Sequence, residues 1–309
     1  MTRPLSEASL RECLWFGEGA PEEVAARAAE SLAASVTRAS GLKPFPAVAQ
    51  HVLSLLAKQD VDAGTLHETL EKDPVLATRV LRVASSPAYN PGRPYVSLEQ
   101  ALVQLGNRAV GELVAGVAAM GVFSDTSGVG EVVRSHCASV AAIARVVGTE
   151  RRFRGVGRAF LAALLHDVGK LMLVAVGEFD YSPEMLQRPD ECHIRERLTL
   201  GYDHAAVGAS VLREWGLDDS LVRLVAFHHQ PGHVYSFDPL EVQIAAYLRL
   251  ADAIEYAFRL DPETPDPDRL DGLVNHEANT YVNLSAAGLA ALWPRFREEI
   301  DALRSAFAR

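Results

Sequence analysis

The sequence predicts an all-α fold, a multi-helix bundle made of two helical lobes. Apolar residues recur at helical spacing along most of the chain, as in VAQHVLSLLA (48–57) and PVLATRVLRVA (74–84). Alanine and leucine dominate these segments, and the sustained two-residue alternation that indicates strands is scarce. We therefore expect helices joined by loops, without a sheet.

Turn-forming residues mark the predicted breaks between helical segments. Three segments have the composition of loops: SSPAYNPGRPY (85–95), FSDTSGVG (123–130) and DPETPDPD (261–268). Asp73, which precedes Pro74, and Ser97 have the character of helix N-caps. These breaks predict four parts: an N-terminal helical extension (1–39), a first helical lobe (40–124), a second helical lobe (125–260) and a C-terminal helical cap (261–309). The two lobes, 40–260, are expected to form one domain.

Composition excludes several classes of protein. The chain has 309 residues, a net charge of −10 and a pI near 5.5, which argues against sequence-independent binding to nucleic acid. No apolar run reaches the roughly 18–20 residues that span a bilayer, and the N-terminus lacks the apolar core of a signal peptide. The three cysteines have no metal-like spacing. We therefore expect a cytoplasmic protein without a membrane span or an organic cofactor.

One stretch, LLHDVGKLML (164–173), places three polar side chains in a run that otherwise has core composition. These side chains are His166, Asp167 and Lys170. The first two belong to a larger ordered set in the second lobe, which comprises His136, His166, Asp167, His204, His228, His229 and Asp252. Side chains from separate helices converge when the helices form a bundle, and bundle cores are known locations for metal sites. Imidazole and carboxylate ligands suit divalent iron, manganese, nickel, cobalt or zinc. Lys170, one turn beyond Asp167, could hold a phosphate oxygen.

Each member of this set has a simpler explanation when it is taken alone. A single histidine on an apolar helix is more often a hydrogen-bonded core residue, and His204 could be a capping residue. Asp252 could be a solvated helix charge, and the pair His228 and His229 could be a surface feature. The ordered set is harder to explain in this way. The other histidines show no pattern and are assigned no role; they are His51, His67, His193, His233 and His276.

Three segments of the second lobe resemble the HD superfamily of metal-dependent phosphohydrolases. They are LLHDVGK (164–170), GYDHAAVGASVLREWGL (201–217) and VAFHHQP (225–231). The first lobe narrows the resemblance to the HDOD family of bacterial signalling output domains. The segments that resemble this family are LKPFPAVAQHVLSLL (42–56), LEKDPVLATRVLRVASSPAYN (70–90) and VSLEQALVQLGNRAVGELV (96–114). The similarity covers about residues 40–255.

The resemblance implies ligands for one or two metals. His136, His166, Asp167 and Asp252 would hold the first metal. Asp167, His204 and one or both of His228 and His229 would hold the second. HDOD domains are mostly regarded as non-catalytic and many lack some of these ligands, whereas here every ligand position is filled. Val132 and the sequence QPGHVYS (230–236) depart from the HD-GYP phosphodiesterases, so a third metal and cyclic di-GMP hydrolysis are not supported.

Three functions are compatible with these features. The first is a bacterial signalling output or regulatory protein that binds partner proteins or a nucleotide, with the metal in a structural or a sensing role. The second is a metal-dependent phosphohydrolase, a phosphodiesterase or nucleotidase, in which Asp167 and Lys170 would be the catalytic residues. The third is redox or oxygen sensing by an iron pair in the same site. We favour signalling over catalysis.

Overall fold

The computed structural model describes residues 22–42, 45–56, 61–86, 90, 93–122, 128–187, 189–230 and 238–307. Every regular element in these ranges is a helix, which confirms the predicted all-α class. Residues 1–21 of the predicted N-terminal extension lie outside the described residues, as does most of QPGHVYS. No helix in the described ranges combines the length and the apolar content needed to cross a lipid bilayer.

Helices are numbered in chain order. They are α1 (Glu22–Leu42), α2 (Ala47–Leu56), α3 (Ala63–Leu70), α4 (Pro74–Ala84), α5 (Leu98–Leu105), α6 (Asn107–Val122), α7 (Gly128–Glu150), α8 (Val156–Leu165), α9 (Val168–Ala175), α10 (Pro183–Leu186), α11 (Pro189–Leu200), α12 (His204–Glu214), α13 (Asp219–Ala226), α14 (Pro239–Leu260), α15 (Pro267–Val274), α16 (Asn279–Val282) and α17 (Ala286–Phe307).

Both predicted helix caps are confirmed. Oδ1 of Asp73 accepts a hydrogen bond from the Leu76 amide at 3.0 Å, with Pro74 in the first turn of α4. Oγ of Ser97 accepts from the Gln100 amide at 3.1 Å and begins α5. These side chains satisfy amide groups that have no partner within the helix.

Two compact units divide the described chain. The first contains the described residues of 1–44, 123–134 and 166–242. The second contains those of 45–122, 135–165 and 243–309. The domain boundaries drawn from the sequence at residues 39, 124 and 260 stay predictions.

In the first unit, α9 packs against α12, and two glycines bring their backbones together. A Cβ atom at Gly169 would overlap the carbonyl oxygen of His204. A Cβ atom at Gly208 would lie 3.1 Å from the Gly169 nitrogen, closer than ordinary van der Waals contact. Because neither position has a side chain, the first turn of α9 lies directly on the first turns of α12.

Helix α1 packs on α9 and α12 in the same unit. Its Ser35, Val36 and Ala39 are buried. Glu178, just beyond α9, accepts hydrogen bonds from Ser35 Oγ at 2.6 Å and from the Arg38 guanidinium. The end of the predicted N-terminal extension is thus tied to this unit by apolar burial and by one acidic side chain.

In the second unit, α6 packs against α2, α4 and α8. A Cβ atom at Gly116 would lie 2.8 Å from Leu164 of α8, so this glycine permits a close approach of the two helices. In the same unit, the Phe258 ring of α14 contacts Trp293 and Phe296 of α17, with ring centroids 5.4 and 6.4 Å apart. The α14 segment that carries Asp252 is therefore held by aromatic packing.

Candidate metal centre

Asp167 lies in the turn between two helices. Helix α8 ends at Leu165, His166 and Asp167 form a turn, and α9 begins at Val168. Asp167 is the N-cap residue of α9, but its side chain makes no capping hydrogen bond. Its carboxylate contacts Lys170 and His204 instead.

Four potential ligand atoms meet beside this turn. They belong to Asp167, His204, His228 and His229, and all four lie within 4.8 Å of one another. Nε2 of His204 lies 3.0 Å from Oδ1 of Asp167, 3.4 Å from Nε2 of His228 and 3.1 Å from Nε2 of His229. Nε2 of His228 is 3.9 Å from the same Asp167 oxygen. Ligand atoms of this kind at this spacing fit a divalent transition metal.

Each side chain reaches this cluster from the end of an element. Asp167 precedes α9, His204 is the first residue of α12, and His228 and His229 lie in the turn that follows α13. Since α12 packs against both α9 and α13, the three ends are neighbours in the first unit. Asp167, His204 and His228 are buried, and His229 is partly buried.

The environment keeps two of the imidazoles neutral. Burial, together with the neighbouring histidines, lowers the pKa of His228 and His229 well below the ordinary value. Nδ1 of His228 lies 2.7 Å from the carbonyl oxygen of Val225, which can only accept, so Nδ1 carries the proton. Nε2 of His228 is then left with the lone pair that a metal requires.

Asp167 is ionised in this environment. Burial opposes the charge, but Lys170 and the adjacent histidines outweigh it and hold the pKa of the carboxyl well below its usual range. Nζ of Lys170 lies 2.6 Å from Oδ2 of Asp167, and both side chains are buried. Nε2 of His166 lies 3.5 Å from the same oxygen.

Sequence reasoning missed two residues of α11 that support the cluster. Glu196 is fully buried. Its Oε2 lies 2.7 Å from Nδ1 of His204 and also accepts a hydrogen bond from the His204 amide at 2.7 Å. His193 stacks on His229, with ring centroids 4.1 Å apart and planes 9° apart. The helix reads PDECHIRERLTL, in which charged residues occur on every face, so no apolar stripe indicates which side is buried.

Asp203 fixes the start of α12 and therefore the position of His204. Its Oδ1 accepts from the Ala206 amide at 3.0 Å, and its Oδ2 accepts from Nε of Arg197 at 2.7 Å. Burial would raise the pKa of this carboxyl, but Arg197 outweighs it and lowers the pKa to about 2. The cap is therefore charged over the whole physiological range.

The second unit holds the remaining two predicted ligands side by side. Nε2 of His136 lies 3.2 Å from Oδ1 of Asp252. On the other side of the ring, Nδ1 lies 3.0 Å from Oε2 of Glu255, a buried residue that the sequence did not mark. Burial lowers the pKa of His136, but Glu255 and Asp252 outweigh it and raise the pKa to about 10.

The predicted site residues thus have defined neighbours within their units. The first unit brings together Asp167, His204, His228 and His229, with His166 and Lys170 against Asp167. The second unit pairs His136 with Asp252. The assignment of all seven residues to metals, and the catalytic roles of Asp167 and Lys170, stay predictions.

A model of the HDOD domain matches residues 42–231 of the chain. The chain belongs to the HDOD domain family. The match confirms the resemblance that both lobes indicated. Among curated proteins, this HDOD chain is 21% identical over 248 residues to an uncharacterised protein of Treponema pallidum. That alignment covers 76% of the HDOD chain, which spans about half (46%) of the relative's length.

Solved structures share the fold of this HDOD protein. A candidate phosphohydrolase from Shewanella amazonensis SB2B is 23% identical with a TM-score of 0.67, covering 89% of this chain and 98% of that one. An HDOD domain protein of unknown function from Geobacter sulfurreducens is 21% identical with a TM-score of 0.65, covering 90% and 98%. A candidate signal transduction protein from Marinobacter aquaeolei VT8 is 20% identical with a TM-score of 0.55, covering 92% and 66%.

Proposed function

We propose that this HDOD protein is a bacterial, cytoplasmic signalling regulator whose His/Asp centre binds one or two divalent transition metals. It acts through binding of a partner protein or a nucleotide. Membership of the HDOD family and fold similarity to a candidate signal transduction protein support the signalling role. The buried cluster of Asp167, His204, His228 and His229 supports the metal.

The cluster carries the proposal because its ligand types, spacing and burial suit a divalent cation. Three imidazoles and one carboxylate place nitrogen and oxygen atoms within 4.8 Å of one another in a mostly buried site. A metal at this point would be held by Asp167, His204 and the pair His228 and His229. It would also link the beginnings of α9 and α12 to the turn after α13, which makes the first unit sensitive to metal supply.

The test is the metal content of protein purified without chelator. Inductively coupled plasma mass spectrometry should find divalent transition metal in the wild-type chain and a large loss in His204→Ala. His51→Ala, a change at an exposed histidine of α2, is the matched control and should retain the wild-type content. Wild-type protein that stays metal-free after growth with iron, manganese and zinc would overturn the proposal.

A second candidate function is hydrolysis of a nucleotide phosphoester. It is favoured by the filled ligand set and by the buried ammonium of Lys170 beside Asp167. A bound metal would lower the pKa of a coordinated water and polarise a phosphoryl group. Lys170 would keep Asp167 ionised and oriented, and would offer positive charge to a phosphate oxygen.

Turnover of bis-p-nitrophenyl phosphate with Mn²⁺ separates the two functions. If the protein is a hydrolase, we expect the wild type to turn over this substrate. Asp167→Ala should abolish the rate, and Lys170→Met should lower it. Metal-loaded protein that turns over neither this substrate nor nucleotides would contradict the hydrolase and leave the regulator.

A further inference from the structure

Two histidines of the predicted metal set have the same surroundings, although they lie in different units. In the first unit, Nε2 of His204 lies 3.0 Å from an Asp167 oxygen and Nδ1 lies 2.7 Å from a Glu196 oxygen. In the second unit, Nε2 of His136 lies 3.2 Å from an Asp252 oxygen, and Nδ1 of the same ring lies 3.0 Å from a Glu255 oxygen. In both cases the aspartate is a predicted ligand, and the glutamate is outside the predicted set.

Both glutamates are placed to hold a ring and are shielded from water. Glu196 is 0% exposed and Glu255 is 2% exposed. Glu196 is itself held in position, since Oε1 accepts from the Tyr181 hydroxyl at 2.7 Å and Oε2 also accepts from the His204 amide. Glu255 lies three residues after Asp252 on α14, so the two carboxylates occupy the same helix face.

A metal selects one nitrogen of each ring. Both nitrogens face an ionised carboxylate, which only accepts hydrogen bonds, so without metal each carboxylate can accept an N–H from the ring. A metal at Nε2 takes the lone pair of that nitrogen and leaves the one N–H of the neutral ring on Nδ1, toward the glutamate. Histidines that bind metals commonly donate their other N–H to a carboxylate or carbonyl in this way.

We propose that Glu196 and Glu255 are positioning residues for two predicted metal ligands, one in each unit. Glu196 fixes His204, and Glu255 fixes His136, as metal-binding rings with Nδ1–H toward the glutamate and Nε2 directed at metal. The inference rests on the proposed function, because it assumes that metal binds. His228 uses a backbone carbonyl, that of Val225, for the same purpose. At His204 and His136 the acceptor is a charged glutamate instead of a neutral carbonyl, and a charged acceptor makes the imidazole a better electron donor.

A purely structural role for the glutamates has different consequences. A glutamate that only paired with a protonated histidine would hold the fold together without any preference for one ring nitrogen. Substitution by glutamine distinguishes the two roles, since a glutamine amide can donate to Nδ1 as well as accept from it. In the positioning role, Glu196→Gln and Glu255→Gln weaken metal binding about 10- to 100-fold in a folded protein.

The experiment measures the dissociation constant of Mn²⁺ and of Zn²⁺ at one fixed pH, by competition with a chromophoric chelator. Wild type is compared with Glu196→Gln, Glu255→Gln and Glu191→Gln, with folding checked by circular dichroism. Glu191 is the matched control because it lies on α11, paired with Arg195 near the surface. The expected result is weakened binding in the first two variants and wild-type binding in the third. Unchanged binding in both of the first two would overturn the inference.

A second measurement needs no variant. Long-range ¹H–¹⁵N correlation spectra of Zn²⁺-loaded, ¹⁵N-histidine-labelled wild type report which nitrogen of each ring carries the proton. Protonated Nδ1 at His204 and His136 is the expected result, and protonated Nε2 at His204 would contradict the inference. Wild-type protein that binds neither metal would overturn the proposed function itself. Metal binding with the same dissociation constant in wild type and in both glutamine variants would overturn only the role of the glutamates.

Discussion

Oδ2 of Asp167 lies 2.6 Å from Nζ of Lys170, and both residues are 2% exposed. An ion pair this deep loses most of its hydration, so its two charges depend on each other. Removing one partner leaves the other charge buried without compensation. This dependence connects the stability of the first unit to the metal, since a bound cation would also neutralise the carboxylate.

The first prediction concerns Lys170→Met. In the presence of EDTA, we expect the free energy of unfolding to fall by about 3–5 kcal/mol, because the Asp167 carboxylate loses its buried cation. With saturating Mn²⁺ we expect a smaller loss, because the metal replaces the missing charge. Urea denaturation under both conditions measures the difference. Lys72→Met, at an exposed lysine, should change stability by about 0.5 kcal/mol or less. Equal losses with and without metal would contradict the prediction.

The second prediction concerns Gly169→Ala in α9. The added methyl group would overlap the carbonyl oxygen of His204, so α9 must move away from α12. We expect a loss of more than about 2 kcal/mol in stability and a lower metal content, since Asp167 and His204 lie on the two separated helices. Thermal unfolding and metal analysis measure these effects.

Gly41→Ala is the matched control for this change. Gly41 lies in α1 of the same unit, and a methyl group there would meet no atom within 4 Å. We expect a small gain in stability, about 0.4–1 kcal/mol, because alanine restricts the unfolded chain. If both variants behaved alike, the close contact of α9 with α12 would not be the cause.

The third prediction compares two changes at Asp203. Asp203→Ala removes both the cap of α12 and the partner of Arg197, and should lower stability by about 2–3 kcal/mol. Asp203→Asn keeps an oxygen for the Ala206 amide but loses the charged acceptor, and should lower it less. Asp218→Ala, which removes the side-chain cap of α13, should cost about 1 kcal/mol. Chemical denaturation gives the order, and a loss no larger in Asp203→Ala than in Asp218→Ala would argue against the dual role.

The fourth prediction concerns pH and His276. Burial and the Arg249 guanidinium lower the pKa of His276, against the opposing carboxylate of Glu277. A lowered pKa means that the unfolded chain takes up a proton near pH 6.5 that the folded protein does not take up until lower pH. This residue therefore makes stability fall as pH drops below about 6.5, by at most about 1.4 kcal/mol per pH unit.

His276→Asn should remove that contribution. Nδ1 of His276 accepts from the Ala278 amide at 3.2 Å, and the asparagine oxygen can replace it without titrating. We expect the free energy of unfolding of the variant, relative to that of wild type, to increase as pH decreases from 8 to 5.5. Urea denaturation at each pH measures both values. Parallel stability profiles would be inconsistent with a neutral His276 in the fold.

The parts of this structure that sequence predicts well are those set by local spacing. Asp73 and Ser97 cap helices by accepting from the amide three residues later, and the apolar repeats determine the helices that follow. The cluster of Asp167 and His204 with the pair at 228–229 could be anticipated because its members form an ordered set at helix ends, in segments that resemble HD proteins. The distances between these ends depend on the packing of α12 against α9 and α13.

The supporting residues depend on tertiary contact, and local sequence does not reveal it. Glu196 is surrounded by charged neighbours in DECHIRER, so its burial follows only from the packing of α11 on α12. Glu255 resembles a solvated helix charge until α14 is placed beside His136. His193 is one histidine among several until its ring is found on His229.

The contacts of Glu178 have a practical consequence for protein production. The family model begins at residue 42 and ends at 231, and those limits are a natural choice for an expression fragment. Such a fragment would lack Ser35 and Arg38, and it would leave the apolar surfaces of α9 and α12 that face α1 in contact with water. It would also lack Asp252 and Glu255. A soluble, metal-competent preparation should therefore extend from before α1 to beyond α14.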